Sequence, residues 1–104
     1  MFLAPPVIDR APLKNLKLKA GQQIRFDVRV TGEPPPTKTW YLNKARLETK
    51  DEVTVDVEDY KTKIVINPVS RAHNGVLFIK AENSSGKDEA FVEVIVLGKF
   101  IRKI

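Results

Sequence analysis

The sequence predicts an all-β sandwich, two packed sheets with almost no helix. Three observations carry this reading. Apolar and polar residues alternate with period two along most of the chain, as in strands that bury one face. Turn-forming clusters of glycine, proline, serine and asparagine separate these runs at regular spacing. The one tryptophan, Trp40, follows a proline-rich connection and falls inside such a run, where it supplies a single large core side chain.

Taken in order, the first short strand is expected near Pro6–Asp9 and the second near Leu16–Lys19. The tight turn Ala20-Gly21-Gln22 leads into Gln23–Val30, where Ile24, Phe26, Val28 and Val30 alternate with Arg25, Asp27 and Arg29. Thr31-Gly32-Glu33-Pro34-Pro35-Pro36 is a rigid connection that cannot continue a ladder, because proline lacks the amide donor. The next strand, Lys38–Leu42, carries Trp40. Val53–Val57 follows, with Val53, Val55 and Val57 on one side of Thr54 and Asp56, and then Lys61–Ile66, with Ile64 and Ile66 around Val65. The last two strands, Val76–Asn83 and Lys87–Val96, are joined across the hairpin Ser84-Ser85-Gly86. Alternation then places Phe26, Val28, Trp40, Ile64, Ile66, Leu77, Ile79, Ala81, Val92 and Val94 in the core, with Leu42 also facing inward. Tyr41, Phe78, Phe91 and Ile95 face outward as a candidate protein-docking face.

Composition narrows the function classes. The 104 residues suit one domain with a core large enough to stand without staples. The absence of cysteine excludes a disulfide framework, a thiolate metal site and a cysteine nucleophile, and it favours a reducing compartment. No apolar run approaches the length of a bilayer span. The start, Met1-Phe2-Leu3-Ala4-Pro5-Pro6, lacks the features of a signal peptide and reads as a cut piece of a longer chain. The net charge of +5 comes with interspersed acids and no nucleic-acid motif, so a solvated surface is expected, with neither nucleic acid nor membrane as partner.

Individual residues add little chemistry. His73 is the only histidine and reads as a loop residue before the Gly75 turn. Asn83-Ser84-Ser85 fits a glycosylation sequon, relevant only to a secreted chain. Glu48, Asp51, Glu52, Asp56, Glu58 and Asp59 are acidic neighbours without the spacing of a calcium loop. There is no phosphate loop, nucleophile elbow or kinase signature. No catalytic residue, cofactor or metal is expected, and the domain is expected to be a monomer and not an enzyme. In the tail, Leu97, Phe100, Ile101 and Ile104 share helical spacing; residues 98–104 read as a linker or an appended tail.

Three segments carry a family resemblance: Gly32-Glu33-Pro34-Pro35-Pro36 leading to Trp40, Ser70-Arg71-Ala72-His73-Asn74-Gly75, and Lys80-Ala81-Glu82-Asn83-Ser84-Ser85-Gly86. With them the chain resembles intermediate-set (I-set) immunoglobulin domains of the giant muscle proteins twitchin, projectin and titin, over roughly Pro5 to Leu97. The resemblance implies an immunoglobulin-like Greek-key sandwich without a disulfide, with Val28 and Ile79 at the two bridge positions and both touching Trp40. Residues 1–4 would then be a linker from a preceding fibronectin type III domain. His73 stands where the family commonly has aspartate. Leu77 stands where it commonly has the corner tyrosine, so another device must hold the loop between Ile66 and Val76.

By the same resemblance, the function implied is a structural and protein-binding module of a cytoplasmic, sarcomeric giant protein, with A-band thick-filament proteins and neighbouring immunoglobulin or fibronectin type III domains as partners. The parent could carry a serine/threonine kinase elsewhere. The alternative is an extracellular adhesion or receptor domain. The fold would pair Leu16–Lys19 in parallel with Ala90–Val96, and a proline at Val94 should weaken that pairing under force if the Val94 amide bonds it.

Overall fold

A computed structural model describes residues 3–97, which leaves the tail 98–104 outside the described residues. Nine strands form: β1 (Ala4–Ile8), β2 (Leu16–Lys19), β3 (Ile24–Glu33), β4 (Thr37–Leu42), β5 (Ala45–Leu47), β6 (Val53–Glu58), β7 (Lys61–Ile66), β8 (Gly75–Asn83) and β9 (Gly86–Leu97). They make a four-stranded sheet ordered β1-β3-β7-β6 and a five-stranded sheet ordered β2-β9-β8-β4-β5. Neighbours are antiparallel except β2 and β9, which run parallel with Leu16 opposite Val94 and Lys19 opposite Leu97.

Period-two burial runs unbroken along β3, where Ile24, Phe26, Val28, Val30 and Gly32 are the buried positions. All ten residues placed in the core from the sequence are buried, together with Ile8, Ile24, Val30, Val69, Ala90 and Val96. Trp40 ties the two layers. Its ring lies 6.5 Å from that of Phe26 at an interplanar angle of 12°. Its Nε1–H donates to Thr62 Oγ1 at 3.0 Å, and the Thr62 hydroxyl donates onward to the Asp56 carbonyl at 2.8 Å. A buried indole needs a partner for its N–H, and Thr62, 2% exposed, supplies it from the opposite sheet. Ile79 is directly across from Trp40 in the ladder. Phe26 supplies the stacked ring, and Val28, also buried, sits opposite Thr62 on β7.

Several expectations are corrected. Strand β1 begins at Ala4, inside the segment read as linker, and β3 runs on to Glu33 because Ala4 and Val7 pair with Glu33 and Thr31. The ladder therefore stops at the prolines themselves. At Gly32, φ is +145°, and a Cβ would sit 3.1 Å from Pro6 Cα and 3.0 Å from Pro36 Cγ; the close approach of β1 requires glycine there. The short edge strand β5 was not foreseen, since Ala45-Arg46-Leu47 is too short for alternation to be read. Leu42, the last residue of β4, is only half-buried. Val55 is half-buried and Val57 exposed, because β6 is a sheet edge and its far end overhangs the core. Lys38 is buried: strand phase points it inward with Trp40, and its Nζ donates to the Pro36 and Asp59 carbonyls. Burial lowers its pKa, against the opposing pull of Asp59.

A second tie crosses the layers between the β1 end and the β9 start. The Asp88 carboxylate accepts from Arg10 at 2.8 and 3.1 Å and from the Ile8 amide at 2.9 Å. The Arg10 guanidinium also donates to the Glu89 carbonyl at 2.7 Å. The Arg10 hydrogen bond, aided by the Ile8 and Glu89 amides, holds Asp88 down to about 2, with partial burial opposing. An aspartate depressed in this way stabilises the fold above its unfolded pKa of about 3.9 and loses that contribution as pH falls toward about 2. With the pair partly exposed to solvent, the contribution is on the order of 1 kcal/mol. Asp88→Asn should therefore lower Tm at neutral pH, and the gap to the parent protein should close progressively below about pH 4. Thermal melts from pH 2 to 7 check this; a gap independent of pH contradicts it.

Candidate docking face

The two outer faces of the sandwich differ in kind. On the four-stranded sheet, cross-strand rows are ionic: Asp27, Lys63 and Asp56 share one row, and Arg29, Lys61 and Glu58 the next. Lys63 pairs with Asp56 at 3.7 Å, Lys61 with Glu58 at 3.7 Å and Arg25 with Asp27 at 3.3 Å. Such exposed pairs contribute little stability, but they present a wet, charge-matched surface. This also disperses the acidic neighbours noted in the sequence. Among the described residues no group of three or more acidic or histidine side chains could hold a metal ion.

On the five-stranded sheet the central row is Arg46, Tyr41, Phe78 and Phe91, consecutive partners across β5, β4, β8 and β9. The Tyr41 and Phe78 rings meet at 5.7 Å with a 55° tilt and are each half-buried by that contact. Phe91 remains 66% exposed and Ile95 45%. All four residues expected on this face lie on it, though only Phe91 and Ile95 are strongly exposed. Beside the row, Tyr41, Asn43, Lys44, Val76, Phe78 and Lys80 line a shallow, mostly apolar groove. Large rings in an exposed row present area that water solvates poorly, which suits contact with another protein and offers no reacting group.

The loops framing this face are fixed by polar side chains. Without a corner tyrosine, the segment between β7 and β8 is held by a short 3₁₀ turn, Arg71–His73, capped by Ser70. His73, expected as a plain loop residue, is buried. Its Nδ1 accepts from the Ser70 amide at 2.9 Å, which leaves the Nε2–H to meet Glu52 Oε2 at 2.8 Å. The Glu52 carboxyl is held below its usual range by its own backbone N–H and by His73. Asn74 brackets Val96, accepting from its amide and donating to its carbonyl. Asn43 donates to the Asn74 carbonyl and accepts from the Val76 amide. Gly75, at φ +137°, leaves room for Asn43, whose side chain a Cβ would overlap. At the other pole, Asn83 Nδ2 donates to the Ala4 and Pro34 carbonyls at 2.8 and 3.0 Å. The nitrogen of the sequon is thus already engaged.

Comparison with known proteins places these features. The immunoglobulin I-set domain family matches residues 6–96. The muscle M-line assembly protein unc-89 of Caenorhabditis elegans is 38% identical over 93 residues, covering 88% of this chain and 1% of that protein. The basement membrane-specific heparan sulfate proteoglycan core protein of Mus musculus is 29% identical over 82 residues, covering 79% of this chain and 2% of that protein. Among solved structures, the titin immunoglobulin tandem A164-A165 superposes with a TM-score of 0.82 at 26% identity, covering 92% of this chain and 51% of that one. The chain spans only a few per cent or less of the length of the curated relatives it matches first.

The geometry separates the two phenylalanines energetically. Phe78→Thr removes a ring packed on Tyr41 and should cost about 0.5–1.5 kcal/mol. Phe91→Thr removes a mostly exposed ring and should stay within about 0.5 kcal/mol of the parent protein in urea unfolding. Equal and large losses for both would contradict this placement of the rings.

Proposed function

The chain belongs to the immunoglobulin I-set family, and we propose that it serves as a structural and protein-docking module of a giant sarcomeric protein. The family is one of structural modules, and no catalytic domain is evident in this chain. Its relatives include muscle proteins such as unc-89, which supports a sarcomeric place for this domain, in the cytoplasm and along the thick filament. Residues 4–97 would be the folded module, joined at both ends to neighbouring immunoglobulin or fibronectin type III domains.

The observation that carries the mechanical part of this reading is the parallel pairing of β2 with β9. The chain enters at Ala4 beside Glu33 and leaves at Leu97 beside Lys19, at opposite poles of the sandwich. Tension along that axis loads the β2–β9 hydrogen bonds in shear, several together, rather than peeling them singly. Resistance to pulling then follows the unfolding barrier. The Glu93 amide donates to Asn15 Oδ1 and the Leu97 carbonyl accepts from Ala20, so odd-numbered β9 residues face β2. The Val96 amide turns the other way, to Asn74, and Val94 shares its phase. The condition set for Val94 is therefore not met, since its amide turns away from β2; the Ile95 amide faces it.

A second reading, an extracellular module, is favoured by the basement-membrane relative. The engagement of Asn83 Nδ2 counts against a glycan at that sequon.

Single-molecule pulling tests the proposal. A distinct force peak is expected for the intact domain, and Ile95→Pro, which deletes a β2-facing amide, should lower it. Absence of a peak in the parent protein, or an unchanged peak in the variant, would refute the clamp. For the docking part, capture of thick-filament protein from muscle lysate should be lost in Phe78→Thr/Phe91→Thr, while the domain still melts cooperatively.

A further inference from the structure

Asn74 and Gly75, between β7 and β8, form a dipeptide whose chemistry neither docking nor mechanical resistance uses. The chain's asparagines are followed by Leu16, Lys44, Pro68, Gly75 and Ser84. The backbone nitrogen of the next residue can attack an asparagine side-chain amide, one reason asparagine is thermolabile. A side chain on that next residue crowds the attack, and a proline there has no N–H to give up. Glycine presents neither obstacle, and only Asn74 precedes glycine.

The fold holds this reaction shut. Attack requires the Asn74 Cγ to swing onto the Gly75 nitrogen. The half-buried Asn74 side chain is instead fixed by three hydrogen bonds. Its Oδ1 accepts from the Val96 amide at 2.6 Å, and its Nδ2 donates to the Arg71 and Val96 carbonyls at 2.9 and 3.2 Å. The glycine is covered as well, because Asn43 occupies the space where a Gly75 Cβ would stand. Asn43 Nδ2 donates to the Asn74 carbonyl at 2.8 Å and its Oδ1 accepts from the Val76 amide at 3.0 Å, so the Asn74–Gly75 peptide is pinned on both flanks.

We propose that Asn74 is a covalent modification site gated by opening of this pole: the folded domain protects it, and the opened chain deamidates there, leaving a lasting record of unfolding. The Gly75 nitrogen bonds to Asn74 Cγ, and the side-chain amino group leaves as ammonia with the proton that Gly75 gives up. Water then opens the five-membered succinimide at either carbonyl. One product is aspartate; the other is isoaspartate, in which the backbone runs through the side chain. Water is the only co-reactant. Either product weakens the pole that shielded it. A carboxylate at position 74 still accepts from the Val96 amide, but it meets the Arg71 and Val96 carbonyls with no proton to donate. Isoaspartate lengthens the backbone and displaces the bracket on Val96. Val96 lies between Ile95 and Leu97, which pair with β2, so the damage falls at the exit end of the β2–β9 pairing. Only tension as the opening event rests on the mechanical reading above; the chemistry does not.

Incubation in mildly alkaline buffer, with and without unfolding concentrations of guanidinium chloride, tests this by tryptic mapping and isoaspartate-specific methyl labelling. Trypsin places Asn74 in Ala72–Lys80 and Asn83 in Ala81–Lys87, so the two are read separately. Modification of the unfolded chain should gather in Ala72–Lys80. Without denaturant it should run at least about tenfold more slowly, since the open fraction of a folded domain is small. Asn43→Gly removes the cover and suits the φ of 50° at that position, and it should speed the reaction in the folded domain. Asn74→Gln, which would have to close a larger ring, should abolish the signal in Ala72–Lys80. Protein modified in denaturant and then refolded should melt at a lower temperature than the parent, as should Asn74→Asp. Equal rates with and without denaturant, modification of the unfolded chain mainly at other asparagines, or a folded-state rate unmoved by Asn43→Gly overturns the gated site. If the denaturant results hold while the intact domain gives no force peak, the site stands and only tension as its opening event fails.

Discussion

Two sheets without a cysteine between them must be held by what their facing side chains can do, and here that rests on Trp40. The indole comes from β4 in one layer, stacks on Phe26 and gives its N–H to Thr62, both in the other. Burying an aromatic of this size contributes several times the net value of one hydrogen bond, but area alone has no preferred orientation. The bond to Thr62 supplies the orientation, because an unpaired indole N–H in so dry a place would cost about 1–3 kcal/mol. Thr62 in turn spends its own proton on the Asp56 carbonyl, so the edge strand β6 is fixed by the same chain of bonds. Packing of Ile64, Ile66, Leu77 and Ile79 around this centre follows from strand phase once the tryptophan is set.

Around that core, polar side chains close the two poles. Lys38 and Asn83 bind the proline-rich connection at one pole; His73, Asn74 and Asn43 bind the loop between β7 and β8 at the other. Each links segments distant in sequence, and each places a donor on a backbone carbonyl or an acceptor on a backbone amide that the ladders leave over. The Arg10–Asp88 tie secures the point where the chain passes from β1 in one sheet to β2 in the other. On the proposed reading, a module fixed at both poles with β2 and β9 paired in parallel would carry tension through that pairing. It leaves the faces of the sheets as the surfaces able to differ between modules.

Strand phase was legible because it needs only period two: alternation alone located β2 and β3 and assigned Tyr41 and Phe91 to the outer face. Ends of strands were less legible. That β3 passes through Gly32 to Glu33 depends on β1 lying beside it, a contact from the far end of the chain. Polar ties were not legible at all. Arg10 and Asp88 are 78 residues apart, and no local pattern marks them as partners. Lys38 is the exception that could have been found, since it shares the phase of Trp40 and had to point inward. Nothing in its own segment marks His73 as more than a loop residue, because its partner Glu52 lies 21 residues away.

The claim on which the rest depends is that Trp40 and Thr62 act as one cross-layer contact in place of a covalent bridge. A double-mutant cycle with Trp40→Phe and Thr62→Val, followed by far-UV circular dichroism in urea, isolates that contact from the separate cost of each truncation. The coupling energy should be about 1 kcal/mol or more in favour of the intact pair, as for a buried hydrogen bond. Losses that add to within about 0.3 kcal/mol would mean that the two side chains stabilise the sandwich independently, and the cross-layer contact would have to be abandoned.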